Sequence, residues 1–253
     1  MRLLPTLAAR RRLDRFANRA SPRRNSTTAA APVAVSGGED VLTVCWAAKG
    51  GSGTTVVSCA LALINAQRRD AWLIDAAGDA PAALGIAEPG GPGVLDWIAS
   101  ATAAPSAIEA LGVTAANDLR VVPRGTATPG VDHPRWSELG RFLAERPAPT
   151  IVDAGTGPVP PGLHAAAQER LLVIRPCYLA LRRAAACSLE PTGVIVLHEP
   201  GRALRAQDVA YAVHAPVVAE ISLDPAIARA VDAGLLAARL PRPLMSSLRE
   251  LAA

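Results

Sequence analysis

One stretch decides the fold: Val41-Leu-Thr-Val-Cys-Trp-Ala-Ala-Lys49-Gly-Gly-Ser-Gly-Thr-Thr-Val-Val-Ser-Cys-Ala-Leu-Ala-Leu63. Its apolar, β-branched start predicts a strand, the glycine-rich middle predicts a tight loop, and the Ala/Leu/Val-rich end predicts a helix. Glycines allow backbone N–H groups to point into one concavity, and the helix N-terminus adds partial positive charge. A strand, a glycine loop and a helix in this order therefore predict a phosphate-binding cradle.

The loop resembles the deviant P-loop of the MinD/ParA family of ATPases, which reads Lys-Gly-Gly-x-Gly-Lys-Thr-Thr. The resemblance implies that these residues bind ATP and that the loop threonine also holds Mg²⁺. It implies that the first lysine reaches the partner's phosphates in a nucleotide-dependent homodimer; a solvated loop charge is the alternative for that lysine. The second lysine is replaced by a threonine. In order, the implied nucleotide-binding residues are Lys49, Gly50, Gly51, Ser52, Gly53, Thr54 (the replaced lysine) and Thr55 (the Mg²⁺ ligand).

A second landmark is Asp75, which ends a predicted strand over Ala71–Ile74. A carboxylate at the carboxyl end of a parallel strand beside a P-loop is where nucleotide chemistry is expected. The family reads Asp-x-Asp here, and its second aspartate helps to position the attacking water. This chain has Ala77 at that position, and Asp79 follows two residues later. Asp75, Asp79 and Lys49 are thus the candidate catalytic residues; a helix N-cap is the alternative role for Asp79.

A third landmark is the predicted strand that begins at Thr150 and ends at Asp153, followed by Gly155 and Gly157. It resembles the Walker B and switch II segment of the same family. The resemblance implies that Asp153 binds Mg²⁺ through water and that a glycine amide, assigned to Gly157, senses the γ-phosphate. An ordinary turn is the alternative for this pattern taken alone, and its position roughly 100 residues after the P-loop favours the Walker B interpretation.

Two later strand ends carry candidate adenine contacts. His198 follows a predicted strand over Gly193–Leu197, where the family often has an adenine-contacting asparagine. The Asp224-Pro225 loop follows the predicted last strand, Pro216–Ile221, and resembles the family's loop beside the base. A bystander in a loop is the alternative for His198.

Charge divides the chain into two parts. Residues 1–24 hold eight arginines against one acidic residue, a net charge of +7, whereas the remainder carries −3. Residues 1–40 are therefore predicted to be a basic N-terminal extension and linker. A disordered extension or a wrongly chosen start, an arm that contacts anionic membrane or DNA, and a transit peptide are the alternatives. The acidic remainder does not support a folded nucleic-acid-binding face.

The compartment is predicted to be the cytoplasm. The four cysteines form no C-x-x-C pair, so a disulfide framework or a metal site is not expected, and no apolar stretch is long enough to span a membrane. Attachment at the inner face of the membrane is the alternative. A final amphipathic helix, Leu244–Leu251, is predicted to dock on the domain, with membrane contact as its alternative.

Residues 41–253 are predicted to form a single P-loop NTPase-type α/β domain, mostly a parallel sheet with helices on both faces, because strands and helices alternate. The resemblance implies an ATP-binding spatial organiser that acts with a protein partner in chromosome partitioning, septum-site placement or pilus or flagellar assembly. Atypical loops of this kind resemble those of TadZ/CpaE-like proteins. Hydrolysis is expected to be weak or absent because of Thr54. A pseudo-ATPase scaffold that dimerises without nucleotide is the alternative, and a metabolic enzyme of the superfamily is the weakest hypothesis.

Overall fold

The computed structural model describes residues 41–252, which form an eight-stranded sheet with helices on both faces. The strand order is β3-β4-β2-β5-β1-β6-β7-β8. The predicted α/β class with a mostly parallel sheet is confirmed. The strands are β1 Leu42–Ala47, β2 Ala71–Asp75, β3 Val113–Ala116, β4 Leu119–Val122, β5 Thr150–Thr156, β6 Glu169–Ile174, β7 Gly193–His198 and β8 Val217–Ser222.

Helices connect the parallel strands, and a 3₁₀ segment, Pro105–Leu111, precedes β3. Within residues 41–252, the α-helices are α1 Thr54–Ala66, α2 Ala80–Leu84, α3 Val94–Ala99, α4 Arg135–Ala144, α5 Pro161–Ala166, α6 Tyr178–Ala186, α7 Ala206–Val213, α8 Pro225–Asp232 and α9 Arg242–Leu248.

Each face of the sheet has its own hydrophobic core. One face is covered by α3 to α7 and holds the four tryptophans of the chain, all buried: Trp46, Trp72, Trp97 and Trp136. The other face is covered by α1, α2, α8 and α9, and its core is mainly Ala, Val, Leu and Ile. Burial on both faces explains why the central strands are continuous apolar runs rather than alternating ones.

The strand order places the glycine loop at the middle of the sheet. Strand β1 lies between β5 and β6, and its chain continues into β2 on the β5 side, whereas β6, β7 and β8 extend to the other side. Such a reversal opens a crevice at the carboxyl ends of the strands, which is where open α/β sheets bind ligands. The one antiparallel strand, β3, pairs only with β4 at the edge of the sheet that residues 41–252 form.

The C-terminal helix α9 is docked on the sheet, as predicted: Leu244 and Leu248 are buried in the core shared with α1. None of the helices between residues 41 and 252 combines the length and apolar character that crossing a membrane requires. The predicted basic extension, residues 1–40, lies outside the described residues, as do the contacts expected of it.

Candidate functional site

The glycine loop connects β1 to α1 and leaves the start of that helix open. Gly53, the residue before the helix, has φ +88°, a left-handed conformation that favours glycine. It has no side chain to cap the helix, so the N–H groups of the first turn remain available to a ligand. Leu197 at the end of β7 covers this residue, because a Cβ there would lie 2.8 Å from Leu197 Cδ2.

The outer part of the loop is open and internally braced. A Cβ added to Gly50 or Gly51 would meet no atom within 4 Å among the described residues. The buried Ser52 hydroxyl donates a hydrogen bond of 2.7 Å to the carbonyl oxygen of Lys49, which closes the turn from inside. Space outside and bracing inside make a concavity that can accept an anion.

The two threonines of the loop differ in position. Thr54 is the first residue of α1 and is 5% exposed, and Thr55 is half-buried with its hydroxyl near Asp153. A threonine at the position of the template lysine offers a hydroxyl but no positive charge. The last threonine of the template is also absent, because Val56 stands there.

Asp153 is one of the two buried acids of the site, with Asp75. It lies in register with Asp75 on β2 and with Cys45 on β1 and is fully buried. The sequence predicts that this strand ends at Asp153, but it continues to Thr156 because β1 still pairs with it there. One carboxylate oxygen accepts from the N–H of Gly155 at 3.0 Å. The other, Oδ2, has no hydrogen-bond partner among the described residues.

Burial dominates the ionisation of Asp153. It raises the pKa of this carboxyl from its ordinary 3.8 to about 6; the Thr55 hydroxyl lowers the pKa, and the neighbouring charge of Asp75 raises it further. A buried, partly unsatisfied carboxylate beside a threonine hydroxyl is a donor set suited to Mg²⁺, which prefers oxygen ligands and keeps several waters. The residues present therefore fit a magnesium ion held with phosphate oxygens.

Asp75 looks similar in sequence but has both oxygens occupied. Oδ1 accepts from the backbone N–H groups of Ala77 at 3.0 Å and Gly78 at 2.6 Å, and Oδ2 accepts from that of Ala80 at 3.0 Å. Burial raises the pKa of Asp75, and these three hydrogen bonds oppose the rise. The carboxylate thus shapes the turn after β2 and caps the start of α2. A direct catalytic role for it stays a prediction.

Asp79 stands at the N-cap position of α2, but its side chain makes no capping hydrogen bond, because Asp75 caps that helix instead. The Asp79 side chain is exposed and lies close enough to raise the pKa values of both Asp75 and Asp153. Ala77 lies against the last residues of β5, since a Cβ added to Gly155 would be 2.9 Å from the Ala77 Cβ. The structure thus brings the turn after β2 into contact with the carboxyl end of β5.

Lys49 is half-buried, and its ammonium group folds back on the loop, where Nζ donates to the carbonyl oxygen of Gly50 at 3.1 Å. It is the only lysine in the 253 residues, whose other cationic side chains are arginines and four histidines. Gly157 faces the same loop: its N–H donates to the carbonyl oxygen of Ala47 at 3.3 Å. That contact joins the segment after β5 to the last residue of β1.

The residues predicted to contact adenine come together at the far side of the crevice. The N–H of Leu223 donates to the carbonyl oxygen of His198 at 2.8 Å, so the ends of β7 and β8 meet. Both predicted side chains already have protein partners there. The His198 imidazole pairs with the Glu220 carboxylate, and Asp224 Oδ1 accepts from the Ala226 N–H at 2.6 Å and caps α8. Pro225 is exposed at the first position of that helix.

Two arginines at the carboxyl edge of the sheet are not among the site residues predicted from the sequence. Arg175 follows β6, and its NH1 donates to the carbonyl oxygen of Gly51 at 3.3 Å. Arg124 follows β4 and packs its side chain against Gly78, whose added Cβ would lie 2.9 Å from Arg124 Cδ. The rule that selects Asp75, a polar residue at the carboxyl end of a parallel strand, also selects these two.

The comparisons with known proteins by sequence find no relative. No family model matches the chain, and no curated protein matches it. Among the residues that the structure describes, no cluster of three or more His, Cys, Asp or Glu side chains could hold a metal ion unaided.

Solved structures do match. A ParA family ATPase from Chlorobium tepidum TLS aligns with a TM-score of 0.67 and 18% identity, covering 84% of this chain and 98% of that one. The MinD cell division protein of Aquifex aeolicus gives 0.68 and 18%, covering 84% and 94%. The septum site-determining protein MinD of Pyrococcus horikoshii, complexed with Mg-ADP, gives 0.66 and 16%, covering 83% and 94%. The chain therefore has the fold of the ParA and MinD ATPases, as the glycine loop predicts.

Proposed function

We propose that this chain is an atypical member of the ParA/MinD family: a protein that binds Mg²⁺ and ATP and uses them to organise a partner or cargo in space. The observation that carries the proposal is the buried, unpartnered oxygen of Asp153 beside Thr55, behind an uncapped glycine loop, among the residues that the structure describes. Two of the similar structures are a MinD with Mg-ADP and a McdA–ATP complex. Their fold is the one described above, which supports the same ligand class.

Each group in the loop has a distinct part in this proposal. The free N–H groups at the start of α1 bind phosphate oxygens, and the Thr55 hydroxyl with Asp153 holds the metal. When bound, Mg²⁺ supplies positive charge that offsets the β- and γ-phosphate oxygens. Lys49 is held at the loop surface by the Gly50 carbonyl, a contact weak enough to exchange for phosphates across a homodimer interface.

Turnover is proposed to be weak. Removal of one positively charged group that contacts the transferring phosphoryl costs several kcal/mol of transition-state stabilisation when nothing replaces it. Thr54 removes that group, and Ala77 removes the second carboxylate of the Asp-x-Asp pair. Asp79, the nearest substitute, is exposed and makes no capping hydrogen bond that would hold its side chain in place.

The second candidate function is a non-catalytic scaffold that keeps the fold and a dimer face but binds no nucleotide. The commitment of both Asp75 oxygens to backbone amides favours it, because the acid that ends β2 then serves the turn alone. In either case, the partner, a place in cell division, partitioning or pilus assembly, and membrane or DNA contact through residues 1–40 stay predictions.

Calorimetric titration separates the two functions. With Mg²⁺ present, ATP and ADP are expected to bind the full chain with micromolar to high-micromolar dissociation constants, and Thr55→Ala is expected to remove the Mg²⁺ dependence. Thr128→Ala, in an exposed loop, is the matched control. Absence of binding heat for both nucleotides would favour the scaffold.

Two further measurements address the dimer and the turnover. Sedimentation velocity is expected to show an ATP-dependent dimer that Lys49→Ala abolishes while nucleotide affinity persists. Phosphate release by Thr54→Lys tests what limits hydrolysis. Restored turnover would show that the rest of the site is intact, and unchanged turnover would assign the limit to Ala77 or to the geometry of its loop.

A further inference from the structure

The glycine loop lacks a positive charge at the usual place. Thr54 occupies the position of the template's second lysine, and the single lysine of the chain is bound back to the Gly50 carbonyl. Nucleotide phosphates carry several negative charges, and binding sites for them normally include a Lys or Arg side chain. If the loop holds nucleotide, another cation within reach is expected to contact the phosphates.

Arg175 is the arginine in contact with the loop. It directly follows β6, the neighbour of β1 in the sheet, so it emerges at the same edge as the glycine loop. Its NH1 already contacts the loop at the Gly51 carbonyl, 3.3 Å away, and its side chain is 41% exposed. The guanidinium therefore lies at the rim of the concavity with freedom to turn inward.

Arg175, Glu199 and Arg202 form an ion-pair cluster in which Arg175 is the more weakly bound arginine. Glu199 lies 3.4 Å from Arg175 NH2 but 2.8 Å from Arg202 NH2, and it also accepts from Arg202 Nε at 2.9 Å. The pKa of the Glu199 carboxyl is lowered, first by its hydrogen bond with Arg202 and then by both arginine charges. Glu199 can thus keep Arg202 when Arg175 leaves, and the cluster of these three residues carries a net positive charge.

We propose that Arg175 supplies the phosphate-binding charge that Thr54 lacks. On nucleotide binding it exchanges the Gly51 carbonyl and Glu199 for phosphate oxygens, which a guanidinium can bind through two parallel hydrogen bonds. The cation is thus provided by the neighbouring strand instead of the helix that starts at the loop. This inference rests on the proposed nucleotide-binding function.

The test compares Mg·ADP affinity among variants of the full chain. Arg175→Ala is expected to weaken binding by about 10- to 100-fold, the usual loss for a charge-assisted contact. Arg182→Ala removes the same charge from an exposed position on α6 and is the matched control, expected to bind like wild type. Arg175→Lys is expected to recover part of the loss as a point charge.

A double variant distinguishes charge from loop bracing. If Arg175 contributes charge, Thr54→Lys introduced into Arg175→Ala restores the lysine of the template and recovers at least about ten-fold of the lost affinity, about 1.4 kcal/mol. The same Thr54→Lys change in the wild-type chain, which keeps Arg175, is then expected to gain clearly less. If Arg175 only braces the loop through Gly51, Thr54→Lys gains equally in both backgrounds, and the inference is overturned.

The outcomes also separate this inference from the proposed function. A wild-type chain that binds no nucleotide would overturn the proposed function and this inference with it. A wild-type chain that binds, with Arg175→Ala binding equally well, would overturn the inference alone. Circular dichroism melts of each variant check that a loss of affinity is not a loss of folding.

Discussion

Substitution of Asp153 by asparagine tests the electrostatic argument on which the metal site depends. Burial raises the pKa of this carboxyl from 3.8 to about 6, which corresponds to about 3 kcal/mol of unfavourable free energy for the ionised form. Folding raises the pKa of Asp153. The contribution of this side chain to the free energy of unfolding is therefore fully present below its pKa in the unfolded chain, near 4, and is lost as the pH rises through its pKa in the folded chain, about 6. At neutral pH the folded chain therefore holds a buried carboxylate at a cost in stability.

The measurable quantity is how the destabilisation caused by the buried Asp153 carboxylate changes with pH. Between about pH 7.5 and about pH 5, the contribution of Asp153 to the free energy of unfolding rises by about 1.4 kcal/mol. An asparagine side chain does not titrate, so the effect of Asp153→Asn is expected to be more destabilising by about that amount at the lower pH. Any constant cost from the new amide N–H, about 1 to 3 kcal/mol, cancels in this difference.

Urea unfolding followed by tryptophan fluorescence gives the free energies, because all four tryptophans are buried in one core. Asp132→Asn removes a carboxylate outside the buried site and controls for the change in net charge. If Asp153→Asn changes stability equally at both pH values, the carboxylate is not held in a disfavoured ionised state. The unpartnered oxygen would then give no reason to expect a metal ion there.

Three further perturbations follow from local geometry. Gly85→Ala is expected to destabilise the fold by about 2 kcal/mol or more, because φ is +78° and the new Cβ would lie 1.6 Å from the Gly234 carbonyl oxygen; Gly90→Ala, with open space around it, should be nearly neutral in the same urea titration. Asp96→Ala should cost about 1 to 3 kcal/mol, since Asp96 accepts from three backbone amides. The hydrogen bond from the Gly93 N–H is the largest cause that lowers the pKa of Asp96. The contribution of Asp96 to the free energy of unfolding should therefore be present at neutral pH and be lost in an acid titration as the pH falls through this lowered pKa. Lys49, the single lysine, should be acetylated more slowly by an amine-reactive acetylating reagent when Mg·ATP is present, as measured by mass spectrometry. Equal rates with and without Mg·ATP would show that its ammonium group does not contact phosphate.

Much of the sheet can be predicted from sequence because the central strands are buried on both faces. Apolar runs that end at a loop mark β1, β5, β7 and β8 to within a residue or a few, and alternation with helical segments predicts their parallel arrangement. The edge strand β3 has no such signal. It is four residues long and only partly buried, and it exists because a turn folds it back on β4.

Short helices are the other elements that the sequence pattern misses. Helix α5 begins at a proline pair and spans six residues, too few to show a helical period. Helix α7 follows a Gly/Arg-containing loop and buries Val209 alone among its eight residues. Both are held in place by packing on the sheet, which is a property of the folded chain and not of the local sequence.

The candidate site, like the fold, can be predicted from the sequence only in part. Sequence reasoning finds the main loops of the crevice, because each lies at the carboxyl end of a predicted strand. It cannot tell which carboxylate is free. Asp75 and Asp153 both end a predicted strand, yet the turn after β2 directs three amides at Asp75, whereas β5 continues to Thr156 and directs only the Gly155 amide at Asp153. The number of hydrogen bonds that an acid accepts depends on turn geometry, which the residue pattern leaves open.

In the proposed function, the substitutions at Thr54 and Ala77 act on different steps, so binding and hydrolysis are not expected to be lost together. Thr54 removes charge that a guanidinium from the next strand can replace, because phosphate affinity depends on a nearby cation and not on its position in the chain. Ala77 removes an oxygen that must orient one water molecule, and orientation requires a group at a fixed distance and angle. Asp79 is exposed and its side chain makes no capping bond to fix it, so it does not meet that requirement in the present geometry. A chain with both substitutions is therefore expected to bind nucleotide but to hydrolyse it slowly. These properties suit a switch that responds to nucleotide binding better than a switch that hydrolysis resets.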